Sequence, residues 1–557
     1  MTVSKSTASS GINPWLVLTL ICVPVFIGSL DLTIVSAFLP EIIISLQLPL
    51  QTALDDAAWV VSGYLLAYAV SMTFMGRISD LLGRRWVYVA CLVVFIAGSV
   101  LVATAHQWPT DTLYGLLRRL GQRPERESVT LLAIILGRVV QALGAGALVP
   151  VSLALVGDLF PAHRRAQPLG VVGAVDTLGW VLGHLYGGVL VNWFATQRSD
   201  FVSLLSSLGL NWPAPDWRTL FWINVPISLV ALALTLWALR RVPMHRAPGR
   251  FDLLGTLLII GALVGLIVGL GANIEIAPGT AGFEELSPLP PYAGPVLLVA
   301  LLCFAGFIVV ERRVRDPLIE LRMFRHRALS AGALVNLFVG FCLMIGLVSV
   351  PILVNVRAQD ASRLAEAAFQ AGVLLSALTV PMALAAVPGG WLSDRWGYQK
   401  VTLLGLGLAA AGFALIWQTW RLDMPDALIA LEMALVGVGL GLTFSPISAA
   451  VINSADEDHR GVASALVIIL RLVGMTVAVS SLTALSLQRV ALLAAAEVGA
   501  NVDPLQFVEV YAHVTVQVLA ELGLLGAALC ALACVPAALG LRRAAPVAAE
   551  TAVSAGG

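Results

Sequence analysis

The chain has 557 residues, of which 59% are hydrophobic and only 12% are charged, and its mean hydropathy is +0.91. A soluble protein of this length could not bury so much apolar surface, so most of the chain is expected to lie in lipid. The 33 basic and 33 acidic residues cancel, which gives no reason to expect a nucleic-acid partner.

The apolar runs predict about fourteen membrane-spanning helices, because a spanning helix needs roughly 20 mostly apolar residues. We place them near residues 15–40, 57–76, 86–105, 129–150, 168–192, 218–239, 252–272, 293–311, 328–354, 367–390, 401–420, 427–450, 462–488 and 513–540. An even count puts both termini on one side. Arginine and lysine are concentrated on the side of residues 76–85, so the positive-inside rule predicts that this side and both termini are cytoplasmic, in the plasma (inner) membrane.

The segment GRISDLLGRR at 76–85 is a charged connection between two long apolar runs. Helices joined this tightly are antiparallel neighbours. A weaker copy, GWLSDRWGYQK, follows at 390–400. The repeated positions are Gly76, Asp80 and Gly83 in the first copy and Gly390, Asp394 and Gly397 in the second. The repetition predicts a duplicated helical bundle.

Both connections are interpreted as gates of the cytoplasmic side. Asp80 lies where a helix N-terminus or an arginine can hold it, and Arg84 and Arg85 close the first copy. Asp394 is expected to play the same part in the second half. The alternative is that these charged residues only fix the topology of the chain.

A second pair of similar segments supports the duplication. GAGALVP at 144–150 with HRR at 163–165 aligns with GLGLTFSP at 439–446 with HRG at 459–461. Two six-helix halves with two extra helices between them fit this pattern. The predicted domains are a cytoplasmic tail at 1–14, an N-terminal six-helix bundle at 15–241, two linker transmembrane helices at 242–327, a C-terminal six-helix bundle at 328–543 and a disordered tail at 544–557.

With these residues in view, the chain resembles the major facilitator superfamily, and in particular its fourteen-span drug:proton antiporter branch. The resemblance implies an all-α polytopic membrane protein with two six-helix repeats and two linker helices. The segments that carry it are LDLTIVSAFLP at 30–40, WVVSGYLLAYA at 59–69, GRISDLLGRR at 76–85, GRVVQALGAGA at 137–147 and WRTLFWINVPI at 217–227. Gly179, Gly183, Gly187 and Gly188 are similar to the branch's antiporter motif, but His184 stands where that motif usually has proline. The glycines keep their packing role, whereas the proline kink is lost.

Ionisable groups within a membrane cost about 2.5–3.5 kcal/mol each, so they tend to face a partner or a wet cavity. The resemblance implies that Asp31 carries a proton and that Arg138 is its electrostatic counterpart. The alternative is a helix cap or a fixed ion pair. Asp176 and Arg471 occupy neighbouring positions of the two repeats, which suggests a salt bridge across a central cavity that protonation would release. The alternative is that each of these two residues has a different partner.

Two further ionisable residues allow two interpretations. His184 is a possible second proton site or an ordinary polar contact within its helix. Glu432 lies near the start of its helix, and either takes part in function or extends to the membrane surface. No residue pattern supports catalysis, because there is no Walker loop, no HExxH segment and no Cys/His cluster, and the six cysteines lie inside apolar runs.

We therefore expect a monomeric secondary transporter, not an enzyme, that exports a hydrophobic or amphipathic compound in exchange for protons, as drug-efflux (multidrug-resistance) proteins do. Its energy source would be the proton gradient, without a cofactor or a metal, and its partners a small lipophilic substrate and membrane lipids. A first alternative is a lipid exporter, in which outer segments at 106–128, 194–216 and 489–512 form an external lobe. In the competing interpretation, these three segments are variable loops without a function. A second alternative is a membrane sensor or scaffold that transports nothing.

Overall fold

The computed structural model describes residues 13–47, 50–196, 216–240, 246–270, 291–358, 364–497 and 504–541, with single positions 203, 207 and 242. The tail predicted at 544–557, nearly all of the tail at 1–14 and most of the outer segment at 194–216 lie outside the described residues. Within them, every regular element is helical. The α-helices are α1 (Pro14–Ser45), α2 (Leu50–Leu82), α3 (Arg84–Ala103), α4 (Trp108–Arg119), α5 (Arg126–Leu159), α6 (Ala166–Thr196), α7 (Trp217–Leu239), α8 (Leu253–Gly269), α9 (Ala293–Glu311), α10 (Arg327–Ala358), α11 (Leu364–Trp396), α12 (Tyr398–Thr419), α13 (Asp426–Asn453), α14 (Arg460–Glu497) and α15 (Pro504–Gly540).

Twelve helices within the described residues are long and apolar enough to cross a membrane. Each of the predicted spans overlaps a helix, but two of these helices are not among the twelve. One is α6, several of whose side chains lie outside the described residues, and the other is α8, which has only 17 residues. The all-helical membrane fold is therefore established, whereas the count of fourteen spans stays a prediction. Helix α4, with 12 residues, is too short to span and lies in the outer segment predicted at 106–128.

The long helices pack around separate cores in the two parts of the chain. Helices α1–α7 enclose two hydrophobic clusters, which centre on residues such as Tyr88 and Phe38. Helices α10–α15 enclose another, which includes Phe413. Helices α8 and α9 pack on each other, and Leu263 and Ile267 of α8 contact α2 and α14. The linker helices thus lie along the seam between the halves.

Exposed tryptophans mark two levels of the bundle. We call the face that carries the connection at 76–85 the inner face. The exposed tryptophans near this face are Trp15, Trp86, Trp237, Trp391 and Trp396, and those near the opposite ends of their helices are Trp59, Trp108, Trp222 and Trp417. Tryptophan is enriched where a membrane meets water, so the two groups are consistent with the two membrane surfaces.

The two connections singled out in the sequence have the same geometry. A single residue separates α2 from α3 and another separates α11 from α12. Gly83 has φ +92° and Gly397 has φ +91°. Backbone with positive φ and extended ψ is essentially confined to glycine, because a Cβ atom would clash there. Each glycine therefore reverses the chain between two antiparallel helices with no intervening loop.

Gly397→Ala should lower the stability of the protein by about 1–3 kcal/mol, the usual cost of a side chain in such a backbone conformation. Apart from its own chain neighbours, no atom of the described residues lies within 4 Å of the position that the new Cβ would take, so we attribute the effect to backbone strain. Gly407→Ala is the matched control, because this glycine of α12 has equally open surroundings and no positive φ. Thermal unfolding in detergent measures both variants. Equal unfolding temperatures for the two would contradict the prediction.

Candidate functional site

Among the described residues, the most deeply buried ion pair joins Asp31 of α1 to Arg138 of α5. The Arg138 guanidinium donates to Asp31 Oδ2 at 2.5 Å and to the Asp31 carbonyl oxygen at 3.3 Å. Both side chains are fully buried. Two charges removed from water together are tolerated only where close contact and further hydrogen bonds satisfy them. The sequence-predicted pair is thus brought together inside the N-terminal half.

Three residues complete the environment of this pair. Asn224 of α7 donates its side-chain amide to Asp31 Oδ1 at 2.5 Å, so both carboxylate oxygens are engaged. Gln141 accepts from Arg138 at 2.8 Å. The Arg138 guanidinium also stacks over the Tyr64 ring, 3.9 Å from its centroid, where the ring face attracts a cation. The cluster therefore ties α1, α2, α5 and α7 together through one carboxylate and one guanidinium.

A second pair bridges the two halves. Asp176 of α6 and Arg471 of α14 approach to 3.8 Å, and each side chain is about a fifth exposed. Ser29 of α1 donates to Asp176 at 2.6 Å, and the Arg471 guanidinium lies 4.6 Å from the centroid of the Phe444 ring. The pair suggested by the repeat alignment is therefore formed, although its contact is looser than that between Asp31 and Arg138.

Asp176 and Arg471 line a cavity of about 110 Å³ between the halves. Its other walls are mainly apolar. They include Leu32, Leu65, Met72, Trp180, Leu343, Met382, Phe444, Ile468, Leu472 and Met475, with Ser29, Tyr68 and Thr177 as polar neighbours of the ion pair. Sites for drug-sized ligands usually have about 300–1,000 Å³, so this conformation leaves the central site narrow.

The inner face is closed by two contacts that repeat each other across the halves. Asp80 at the end of α2 accepts hydrogen bonds from the backbone N–H groups of Gly461 and Val462, at the start of α14. Asp394 near the end of α11 accepts from the N–H groups of Ala166 and Gln167, at the start of α6. A helix N-terminus has unpaired N–H donors and a positive dipole end, which a carboxylate satisfies. Each half thus holds the first turn of a helix in the other half.

Two glycines allow this approach. At Gly76 a Cβ atom would overlap the carbonyl oxygen of Gly461, and at Gly390 it would overlap that of Ala166. Any larger residue would therefore push the two halves apart at the inner face. Gly76 and Gly390 occupy equivalent positions of the two connections, so the repeat seen in the sequence extends to the contacts.

The two inner contacts differ in charge. Beside Asp80, Arg84 contacts both Asp80, at 3.2 Å, and Asp158 of α5, and Asp158 in turn accepts from Arg460 of the other half at 3.0 Å. Beside Asp394, Tyr398 replaces Arg84 and accepts from Asn453 at 2.8 Å, and Asn453 accepts from Arg165 at 2.7 Å. A chain of four charges on one side thus corresponds, on the other, to a network in which two neutral side chains, Tyr398 and Asn453, stand beside Asp394 and Arg165.

The remaining predicted residues are placed as follows. Gly179 and Gly183 of α6 lie against the α1 backbone so closely that a Cβ atom would overlap it. Gly187 is also buried in α6, whereas the side-chain environments of His184 and Gly188 lie outside the described residues. The Arg85 guanidinium lies 5.0 Å from the centroid of the Trp86 ring and does not enter the charge chain described above.

The position of Glu432 in the structure contradicts one of its two interpretations. The interpretation that it extends to the membrane surface is wrong, because its side chain is only 2% exposed. It accepts hydrogen bonds from Thr419 at 2.7 Å and from the Trp420 indole at 3.0 Å, which hold it inside the C-terminal half. Among the described residues, no group of three or more His, Cys, Asp or Glu side chains could hold a metal ion.

Sequence reasoning missed Asn224 and Asp158 as members of these clusters. Asn224 lies in the WRTLFWINVPI segment, where an amide within an apolar helix is a usable signal, because such a group needs a partner. Asp158 ends an apolar helix, and no spacing rule pairs it with Arg84 and Arg460, since these residues meet only through tertiary packing.

Comparison with known proteins agrees with this architecture. A triacylglyceride transporter of Mycolicibacterium hassiacum is 31% identical over 476 residues, which cover 84% of this chain and 78% of the relative. A triacylglyceride transporter of Mycobacterium tuberculosis is also 31% identical over 476 residues, covering 84% of this chain and 81% of the relative. These similarities do not distinguish the fourteen-span drug:proton antiporter branch, which stays a prediction.

Solved structures of two transporters share the fold. A proton:xylose symporter aligns with a TM-score of 0.53 at 16% identity, over 92% of this chain and 94% of the symporter. A human organic anion transporter aligns with a TM-score of 0.53 at 15% identity, over 93% of this chain and all of that chain. The family model described as the Major Facilitator Superfamily matches residues 21–479. The chain therefore belongs to the Major Facilitator Superfamily.

Proposed function

We propose that this protein is a secondary active transporter that exports an apolar lipid of the triacylglyceride class by alternating access. The observation that carries the proposal is the mainly apolar cavity between the halves, crossed by the pair of Asp176 and Arg471. An apolar lining suits a lipid chain, and a charge pair between the halves gives the conformational change a contact to break. The relatives named as triacylglyceride transporters support this class of substrate.

The distribution of the contacts supports alternating access. In the conformation at hand, Asp80 and Asp394 hold the halves together at the inner face. Opening that face requires both carboxylates to release the helix N-termini of the other half. The Asp176–Arg471 pair lies deeper, at the cavity, and is available as a second latch. Separation at the inner face would widen the central site and admit substrate from the cytoplasmic leaflet.

Proton coupling is proposed at two carboxylates. Protonation of Asp176 removes the charge that attracts Arg471 and frees the two halves. Protonation of Asp31 removes the charge that holds Arg138, Asn224 and α1 together. Because a buried arginine without its carboxylate is costly, each proton transfer is coupled to a change of packing. The proton gradient would then drive export from the cytoplasmic side of the plasma membrane.

A drug-sized amphipathic compound remains the competing substrate. It is the first expectation from the resemblance to the antiporter branch, and the lipid is preferred here because of the names of the relatives. Competition between a labelled triacylglyceride and lipophilic cations in the same transport assay separates the two. A complete absence of substrate flux would leave the sensor or scaffold alternative.

Asp31→Asn should lower proton-coupled transport at least tenfold, because the amide keeps the size of the side chain but cannot exchange a proton. Labelled triacylglyceride and an internal pH dye in proteoliposomes measure both fluxes. Asp111→Asn is the control, since that carboxylate is 59% exposed and pairs with Arg126 at the outer surface. Asp31→Asn with Arg138→Gln restores a neutral pair in case the single variant folds poorly. Normal coupling in a folded Asp31→Asn protein would overturn the role of Asp31.

Asp176→Asn should lower the population of the conformation described here, in which the inner face is closed. Arg471→Gln should lower that population to a similar extent. Because both changes break one interaction, the double variant should be no more shifted than either single variant. Acidification of the wild type should act in the same direction as Asp176→Asn, since protonation removes the same charge. Distances between spin labels at Leu82→Cys and Trp396→Cys, on opposite halves of the inner face, report the shift. Additive effects would show that the two residues do not form a latch.

A further inference from the structure

A pocket of about 740 Å³ opens on the inner face between the two halves. It is far larger than the central cavity and separate from it. Its lining includes tryptophans and ionisable side chains from both halves. These are Trp15, His163 and Arg164 from the N-terminal half and Trp391, Asp394 and Arg395 from the C-terminal half. The pocket therefore exists in this form only while the inner face is closed.

The charge of the pocket is positive. The Arg164 side chain is exposed and makes no hydrogen bond or ion pair with any described residue. The Arg395 guanidinium stacks on Trp391, 3.8 Å from the ring centroid, which leaves its N–H donors at the ring edge. Asp394, the acid of the pocket, already accepts from the N–H groups of Ala166 and Gln167. Two arginines thus face one carboxylate whose oxygens are engaged elsewhere.

Two exposed tryptophans of the pocket are of the kind that marks a membrane surface. Trp15 is 42% exposed and Trp391 is 41% exposed, and both belong to the inner group of exposed tryptophans. Trp15 packs edge-on against Phe160, with ring centroids 5.3 Å apart, which gives the pocket an aromatic wall. An aromatic wall beside two arginines matches a ligand that carries an anionic group on an apolar body. Guanidinium groups bind phosphate oxygens in bidentate geometry.

We propose that this pocket binds the phosphate group of an anionic phospholipid from the inner-face leaflet. The phosphate would contact Arg164 of one half and Arg395 of the other, and the glycerol and acyl carbons would lie along Trp15 and Trp391. Because the two arginines come from different halves, the bound lipid neutralises their repulsion and favours the closed inner face. This site is independent of the transported substrate, and it makes the conformational balance depend on the composition of the membrane.

Native mass spectrometry of the full-length protein tests the site with phosphatidylglycerol, phosphatidylcholine and inorganic phosphate as probes. The wild type should retain phosphatidylglycerol at least tenfold more strongly than phosphatidylcholine. Arg164→Gln with Arg395→Gln should remove that preference.

The matched control is Arg312→Gln with Arg313→Gln, two exposed arginines of the inner face that do not line the pocket, and it should change retention less than twofold. Unfolding temperatures of both double variants verify folding, and Arg164→Lys with Arg395→Lys should keep part of the preference.

Three outcomes would overturn the proposal. The first is an unchanged preference in a folded Arg164→Gln, Arg395→Gln protein. The second is retention of inorganic phosphate without any preference among the lipids, which would identify a site for the free anion. The third is loss of the preference on Lys5→Gln, which would assign the lipid to the amino-terminal tail instead. The distance between spin labels at Leu82→Cys and Trp396→Cys is a second readout. The proposal is supported if phosphatidylglycerol shortens this distance when Arg164 and Arg395 are present, but not when Arg164→Gln and Arg395→Gln are added.

Discussion

Charge removed from water needs a partner, and this requirement organises the protein at each depth. Asp31 and Arg138 satisfy it within one half, where Asn224 and Gln141 complete the hydrogen bonds and the Tyr64 ring stacks on the guanidinium. Asp176 and Arg471 satisfy it across the halves at a longer distance. The first pair therefore holds a bundle together, whereas the second holds one arrangement of the two bundles. Only the second pair would be broken directly if the two halves moved apart.

The inner face applies the same requirement to backbone groups. The first N–H groups of α6 and α14 have no partners within their own helices, and a carboxylate from the opposite half supplies one. This contact needs no matching side chain in the other half, because every helix N-terminus offers unpaired backbone N–H groups. It also explains why the glycines at 76 and 390 matter, since a carboxylate reaches the N-terminus only if the two backbones nearly touch. The linker takes part as well, because the N–H of Ala247 donates to the carbonyl of Asp80 at 2.8 Å.

The sequence was most informative where one interaction recurs in both repeats. The spacing of Gly76, Asp80 and Gly83 and its copy identified two helix reversals and two carboxylate contacts, because each depends on backbone geometry that few residues permit. It was least informative where an interaction joins distant residues once. Asp158 pairs with arginines from α3 and α14, and no local pattern specifies such a meeting. Glu432 was misjudged because its two neutral donors, at 419 and 420, come from the preceding helix end and look unremarkable in the sequence.

The size of the central cavity constrains how a lipid could be carried. A volume of about 110 Å³ is below the range for drug-sized ligands, so a triacylglyceride cannot occupy the site while the inner face is closed. Under the proposed function, the substrate would therefore enter in a conformation where Asp80 and Asp394 have released the opposite helices. The length of α14 and α15 bears on the other end of the path. Their 38 and 37 residues exceed the roughly 20 that are needed to span a membrane. Arg489 of α14 forms an ion pair with Glu521 of α15 at 2.8 Å, which joins the two helices. In the proposed lipid export, a helix pair of this length, joined near its outer end, would offer an apolar surface to the departing lipid. A long acyl chain leaving a narrowing cavity needs such a surface, because water would otherwise oppose its release.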